Sequence, residues 1–159
     1  SPAQIVFLGT GEVRYEQALQ ALAAERPDSM AVVLAYNESL AHRIEAAADI
    51  FLMPSLFEPC GLNQLYSLRY GTLPVVREVG GLADTVTDAS DHALQSGTAT
   101  GFVFQQPLAS EFLSAAQRAI ALWHDQRAWQ GVQHTAMGQD FSWQRSAERY
   151  LELYGSATE

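Results

Sequence analysis

Apolar residues along the chain fall into short unbroken runs rather than into polar–apolar alternation. The runs are Ile5–Leu8, Ala31–Ala35, Ile50–Met53, Leu73–Val76 and Phe102–Phe104, each bounded by turn-forming residues. Unalternated runs rich in β-branched residues suit strands buried on both faces, as in a parallel sheet. Between them the spacing becomes helical. Val13–Arg26 is rich in Ala, Leu, Glu and Gln and halts at Pro27, and Glu38–Ala48 places Leu40, Ile44 and Ala47 on one face. Gly61–Tyr70 carries Leu62, Leu65, Tyr66 and Leu68 and meets a C-terminal stop at Gly71; Leu82–Ala89 is shorter. Strand–helix alternation with short connections predicts right-handed βαβ units, hence an α/β fold with a parallel sheet flanked by helices.

After Phe104 the pattern is helical throughout. Pro107–His124 has Leu108, Phe112, Ala115, Ala116, Ala119 and Leu122 at helical spacing, Arg127–Gly138 follows, and Ser142 is placed to cap a last helix through Leu153. This predicts a helical C-terminal tail over residues 107–155, with Trp123, Trp129 and Trp143 as its packing anchors. The polar stretch Ala89–Thr100 reads as a mobile surface loop. Only four residues precede the first apolar run, so the chain reads as a piece cut at a strand.

Composition narrows the function classes. With 159 residues, 48% hydrophobic and 17% charged, the chain has the length of about one ordinary domain and enough apolar surface for a core. The net charge is −9, and all nine basic residues are arginine. A negative, lysine-free chain is poorly suited to nucleic acid or to an anionic membrane, both of which need clustered Lys and Arg. One cysteine, Cys60, excludes an internal disulfide framework and a multi-cysteine metal site. The four histidines His42, His92, His124 and His134 show no metal-ligand spacing, so no metal is expected. No apolar run approaches the ~20 residues that span a bilayer, and SPAQIVFLGTG has no signal-peptide layout. The expectation is a cytoplasmic domain.

Three stretches could carry chemistry. Gly9-Thr10-Gly11 follows the first strand, but Arg14 stands where a dinucleotide fingerprint has its third glycine, which leaves a tight turn as the simpler reading. Ser55-Leu56-Phe57-Glu58-Pro59-Cys60-Gly61-Leu62-Asn63-Gln64-Leu65-Tyr66 follows a strand and enters a helix. Ligands bind α/β folds at such carboxyl ends of strands, and the first N–H groups of a helix can hold a phosphate. Gly61 permits close approach of a ligand to the backbone. Glu58 beside this anion site would accept from sugar hydroxyls, which suits a neutral sugar attached to a phosphate; equally, it could be an acid favoured by the helix dipole. Cys60 as a nucleophile at a helix N-terminus needs a base, and no histidine has a spacing that indicates pairing with it. The third stretch, Val79-Gly80-Gly81-Leu82-Ala83-Asp84-Thr85, is again strand, glycines, helix; its adjacent glycines imply φ > 0 or a close contact.

The stretch Ala48–Val86, with FEPCGLNQLY, LRYGTLP and GGLADTV, resembles the bacterial glycogen synthases and plant starch synthases. The QIVFLGTG strand, Ala35-Tyr36-Asn37-Glu38 followed by HRI, Gly101–Phe104 and Asp140-Phe141-Ser142-Trp143 extend the resemblance over essentially the whole chain. It implies a retaining glycosyltransferase of the GT-B type, built from two Rossmann-like domains, that moves glucose from ADP-glucose to the non-reducing end of an α-1,4-glucan without metal or other cofactor. This chain would be most of the C-terminal, donor-binding domain. The family's N-terminal domain, which supplies the acceptor side, would be its missing partner. The family's diphosphate-gripping Arg and Lys lie upstream, and the lysine is not among these residues.

Carried over by position, Glu58 matches the acid that contacts the donor glucose and would be the catalytic residue. Cys60, Gly61 and Leu62 match positions whose backbone N–H groups face sugar and phosphate. Asn63 stands where Thr is frequent, and Gly80 and Gly81 would complete the phosphate side. Tyr36 resembles the aromatic that stacks on adenine. Tyr66 lies near the ribose, where related transferases have a second Glu. Leu56 stands where the family usually has Arg, and Val79 where Thr is common. In a plant the location would be the plastid stroma. A non-catalytic nucleotide-sugar or glucan-binding module, a nicotinamide-linked oxidoreductase and a UDP-glucose-dependent transferase remain as alternatives.

Overall fold

The computed structural model describes residues 3–156. The chain divides into two compact units, Ser1–Ala47 and Ala48–Glu159.

In the first unit strand β1, Ile5–Leu8, runs parallel to strand β2, Met30–Val33, in the register Ile5↔Met30 to Leu8↔Val33. Helix α1, Val13–Glu25, makes the crossover, and helix α2, Glu38–Ala47, follows β2. Pro27 stops α1 as its position predicts, because proline cannot supply the next helical N–H. Asn37 Oδ1 accepts from the Leu40 N–H at 2.9 Å and so caps α2. The turn Gly9-Thr10-Gly11 keeps its amides within the unit: Gly9 N–H donates to the Val33 carbonyl at 3.1 Å and Gly11 N–H to Glu16 Oε1 at 2.8 Å. That is a tight turn, not an open phosphate loop.

The second unit holds a three-stranded parallel sheet in the order β3-β4-β5, with β3 at Ile50–Met53, β4 at Leu73–Arg77 and β5 at Phe102–Phe104. The α/β reading with parallel strands is thus borne out: among the described residues two strands pair in parallel in the first unit and three in the second. Central β4 is buried from Leu73 to Val76, which is why its apolar run does not alternate. Helix α3, Asn63–Tyr70, connects β3 to β4 and ends at Gly71, whose φ of 78° lets the chain reverse. Helices α6, Ala109–His124, and α7, Gln126–Met137, follow β5. The core joins Leu68, Val75, Phe102, Ala115, Ala119, Trp129, Val132 and Ala136, with the Trp129 ring stacked on Phe102 at 6.3 Å between centroids.

Three local expectations change. The helix expected at Leu82–Ala89 is α4, Gly80–Thr85; it starts earlier and ends at Val86, which is extended. Residues Ala89–Thr100 are not a loose loop. They contain helix α5, Asp91–Ser96, capped by Ser90 Oγ and closed by Gly97 at φ 68°. Ala93, Ala99 and Thr100 are buried, and Thr100 Oγ1 accepts from the Thr87 N–H at 2.8 Å. The Ser, Asp and Gly that suggest a loop are the caps of a short helix. Finally, the three tryptophans part company. Trp129 is 2% exposed and Trp123 packs against the core, but Trp143, at the start of helix α8, Trp143–Ser156, is 89% exposed. Its helix buries none of its residues. Among the described residues no helix is long and apolar enough to cross a membrane.

Candidate functional site

The connection from β3 to α3 lies at the carboxyl ends of β3 and β4, and five of its carbonyls are pinned by hydrogen bonds. Arg77, the last residue of β4, donates from Nε to the Ser55 carbonyl at 2.8 Å and from Nη2 to the Leu56 carbonyl. Gly81 N–H donates to the Pro59 carbonyl at 3.2 Å. Gln64 Nε2 donates to the carbonyls of Cys60 at 2.9 Å and Gly61 at 3.0 Å.

This pattern fixes the amides. In a trans peptide unit the C=O and the following N–H point in opposite directions, and no peptide bond among the described residues is cis. Pinning the carbonyls of Pro59, Cys60 and Gly61 inward turns the N–H groups of Cys60, Gly61 and Leu62 the other way. Gly61 has φ 74° and Leu62 is right-handed, a left-then-right sequence that gathers successive N–H groups into an anion-binding concavity. Helix α3 continues it. Tyr66 is the first of its residues to donate down the helix, to the Leu62 carbonyl at 3.0 Å, so the N–H groups of Asn63, Gln64 and Leu65 lead the helix without intrahelical acceptors. The partial positive charge of the helix start adds to the same spot.

Glycines let the second loop close under the first. A Cβ on Gly80, whose φ is 47°, would collide with the Glu58 carbonyl oxygen and stand 3.0 Å from its carbon. A Cβ on Gly81 would lie 2.7 Å from Cys60 Cα. The adjacent glycines are therefore required by backbone-on-backbone packing against Glu58–Cys60. Gly81 N–H is occupied by the Pro59 carbonyl, so what Gly81 contributes is the shape of the turn.

Glu58 is half-buried, Cys60, Leu62 and Asn63 are exposed, and Gly61 is half-buried in the same turn. Tyr66 stands one turn further along α3, 39% exposed. Glu58, Cys60, Gly61, Leu62, Asn63, Gly80 and Gly81 are thus brought together. Tyr36 belongs to the first unit and is 90% exposed. Leu56 and Phe57, exposed at 75% and 78%, form an apolar lip ahead of Glu58. Among the described residues no group of three or more His, Cys, Asp or Glu is placed to hold a metal ion.

The sequence reading passes over Gln64, Thr85 and Arg77. Gln64 is fully buried, and its Nε2 also donates to Thr85 Oγ1 at 3.3 Å, while Thr85 donates to the Gly81 carbonyl at 2.6 Å. Gln64 Oε1 has no hydrogen-bond partner among the described residues. A buried acceptor left so costs about 1–3 kcal/mol. A polar residue in the first turn of helix α3, three residues after Gly61, is the available signal.

Residues 1–130 match the family described as glycosyl transferases group 1. The chain belongs to that family. It is 53% identical over 156 residues to Glycogen synthase 1 of Methylococcus capsulatus, covering 98% of this chain and 32% of that protein. To the glycogen synthase of Thioalkalivibrio sulfidiphilus it is 53% identical over 152 residues, covering 96% of this chain and 32% of the relative. Among solved structures it is similar to the catalytic domain of starch synthase IV from Arabidopsis thaliana, bound to ADP and acarbose, with a TM-score of 0.82 and 36% identity over 96% of this chain and 32% of that one. The resemblance to glycogen and starch synthases read from the signature is borne out, and so is the fold of a GT-B C-terminal domain. The chain spans about a third of the length of these relatives.

Proposed function

We propose that the chain is the donor-binding part of a glycosyltransferase that moves glucose from ADP-glucose to the non-reducing end of an α-1,4-glucan with retention of configuration, as a glycogen synthase of the cytoplasm. What carries this reading is the turn Glu58–Leu62, with its three outward amides at the head of α3, in a chain 53% identical to a protein named glycogen synthase.

Breaking the anomeric C–O bond builds negative charge on the departing diphosphate and positive charge on the sugar ring. Preorganised N–H donors and a helix N-terminus stabilise the first. The N–H groups of Cys60, Gly61 and Leu62, with Asn63 beside them, meet the sugar and phosphate, and Gly80 and Gly81 hold the turn in shape. The Glu58 carboxylate orients the sugar hydroxyls and favours the cationic centre. It is not a covalent nucleophile: retaining glycosidases use two carboxylates about 5–5.5 Å apart, and the stretch Ser55–Tyr66 has no second one. The acceptor hydroxyl attacks from the face of the leaving group, and the phosphate takes its proton. Tyr36 stacks on the adenine and Tyr66 lies by the ribose. No metal or other cofactor takes part. The acceptor is held by a separate N-terminal domain, so this chain alone is inactive, since orientation of two substrates supplies most of the rate.

The test is a calorimetric titration of the chain with ADP-glucose, with Glu58→Ala as control, alongside transfer to glycogen by the whole protein. Saturable binding that the substitution weakens, with transfer only by the whole protein, is the expected result. Near-normal turnover of Glu58→Gln in the whole protein sinks the role given to Glu58, and transfer to glycogen by the isolated chain sinks the division of labour.

A further inference from the structure

We infer that Gln64 is a positioning residue for the donor, the group that turns the amides of Gly61 and Leu62 toward the sugar phosphate, and that Thr85 holds it in place; this rests on the reading of the site as a nucleotide-sugar site. Gln64 is 0% exposed, so it touches no ligand itself. Its one amide nitrogen serves two successive carbonyls, those of Cys60 and Gly61, at 2.9 and 3.0 Å. Each of those carbonyls shares a rigid peptide plane with the next N–H, so a single side chain sets the direction of two successive donors.

The orientation of the amide is settled by chemistry. Both carbonyls need a donor, so the nitrogen must face them, and the oxygen is left toward Gly61 with no partner among the described residues. A Cβ on Gly61 would lie 3.0 Å from Gln64 Cδ, so the glycine is also what admits this side chain. A residue chosen for stability alone would satisfy its own oxygen. An arrangement that leaves a buried acceptor orphaned while pinning two loop carbonyls is the kind of local compromise found at functional sites. Thr85 ties the device to the second loop: its Oγ1 stands 3.3 Å from Gln64 Nε2, sharing an N–H that also serves a carbonyl, and donates to the Gly81 carbonyl at 2.6 Å. The amide of Gly81 in turn pins Pro59 and thereby aims the N–H of Cys60.

The experiment is steady-state kinetics of the whole protein with ADP-glucose and glycogen, comparing Gln64→Leu, Gln64→Met, Thr85→Val and Thr85→Ser, with thermal midpoints for each. Losing the aim of two amides should lower kcat/KM for the donor about tenfold or more in the Gln64 variants. Thr85→Val should lower it less, and Thr85→Ser, which keeps the hydroxyl, should restore it. The KM for glycogen should stay where it is. Donor kinetics unchanged in both Thr85→Val and whichever Gln64 variant folds would overturn the inference. So would losses in donor and acceptor parameters that merely follow a falling thermal midpoint, because that marks a purely structural residue. A wild-type protein that neither binds nor uses ADP-glucose would instead overturn the functional reading, and this inference with it.

Discussion

The backbone of Gly80 rests directly on the carbonyl of Glu58, with no room between them for a side chain. The carboxylate proposed to meet the donor sugar is therefore positioned by a glycine 22 residues away, at the start of the next strand–helix connection. At Gly80 the φ of 47° disfavours any L side chain, and the Glu58 carbonyl is backbone and cannot swing aside. Gly80→Ala should cost roughly 2–5 kcal/mol, adding a left-handed penalty to an overpacking one. Gly97 is the control: its φ is 68°, yet nothing lies within 4 Å of a Cβ there. Gly97→Ala should cost only the conformational part, about 1–2 kcal/mol. Urea denaturation of both variants checks the order. Equal losses would mean that the Glu58 turn yields to a methyl group and is not rigidly held.

A second lock sits at Asp88, between α4 and α5. Its Oδ1 accepts from the Val103 N–H at 2.7 Å, and Arg118 reaches both carboxylate oxygens at 3.0 and 2.9 Å while also donating to the Val103 carbonyl at 2.9 Å. Asp88→Ala leaves a strand amide of β5 unpaired and should cost about 1–3 kcal/mol. Arg118 is 40% exposed, so water screens its share, and Arg118→Met should cost under about 1 kcal/mol. A double-mutant cycle in urea settles it. A coupling energy as large as the whole Asp88→Ala loss would show that the ion pair, not the Val103 amide, does the holding.

The fold was legible where one physical signal dominated. The unalternated run Leu73–Val76 suits a strand buried on both faces and forms one, and Gly71 and Pro27 stop helices by covalent geometry. The signature placed Glu58 and the glycines in one turn because a strand end, a helix start and close-packed glycines converge there. Gln64 and Arg77 escaped because their work is done on carbonyls, and no spacing rule in a sequence reports which way a loop carbonyl faces. Helix α5 escaped for the opposite reason: six residues are too few for a periodic signal, while Ser90 and Gly97 have the composition of a loop. Trp143 misled because aromatic content predicts burial only where a partner surface exists, and α8 buries none of its residues.

The start of α8 should respond to acid. Asp140 Oδ1 accepts from the Ser142 N–H at 2.8 Å, and Ser142 Oγ accepts from the Arg145 N–H at 3.4 Å. The bonds from Ser142, with Arg145 nearby, hold the Asp140 carboxyl below its ordinary value of 3.8. A folded pKa below the unfolded one contributes order that is fully present above the unfolded value and is lost as pH falls through the folded one. Helical signal from α8 should therefore hold through neutral and mildly acid pH and fade only below about pH 4. Amide exchange at Ser142–Ser146 across an acid titration reads this directly. Asp140→Asn, which keeps an acceptor but not the charge, should flatten the response; an unchanged profile would assign the fraying to another group.

The tryptophans give the sharpest contrast within one short tail. Trp129 is 2% exposed and stacked on Phe102, so Trp129→Ala removes a full aromatic side chain from the core and should cost about 3–5 kcal/mol. Trp143 is 89% exposed and begins a helix whose Tyr150, Leu151, Leu153 and Tyr154 are all at least 59% exposed. Trp143→Ala should change stability by no more than about 0.5 kcal/mol, and Trp143→Phe should remove the component of the emission that belongs to a hydrated indole. Contiguous exposed apolar surface of this kind marks a contact face, so the same two substitutions separate a helix that stands clear from one that packs. Should Trp143→Ala destabilise the chain as much as Trp129→Ala, the apolar face of α8 is buried in solution.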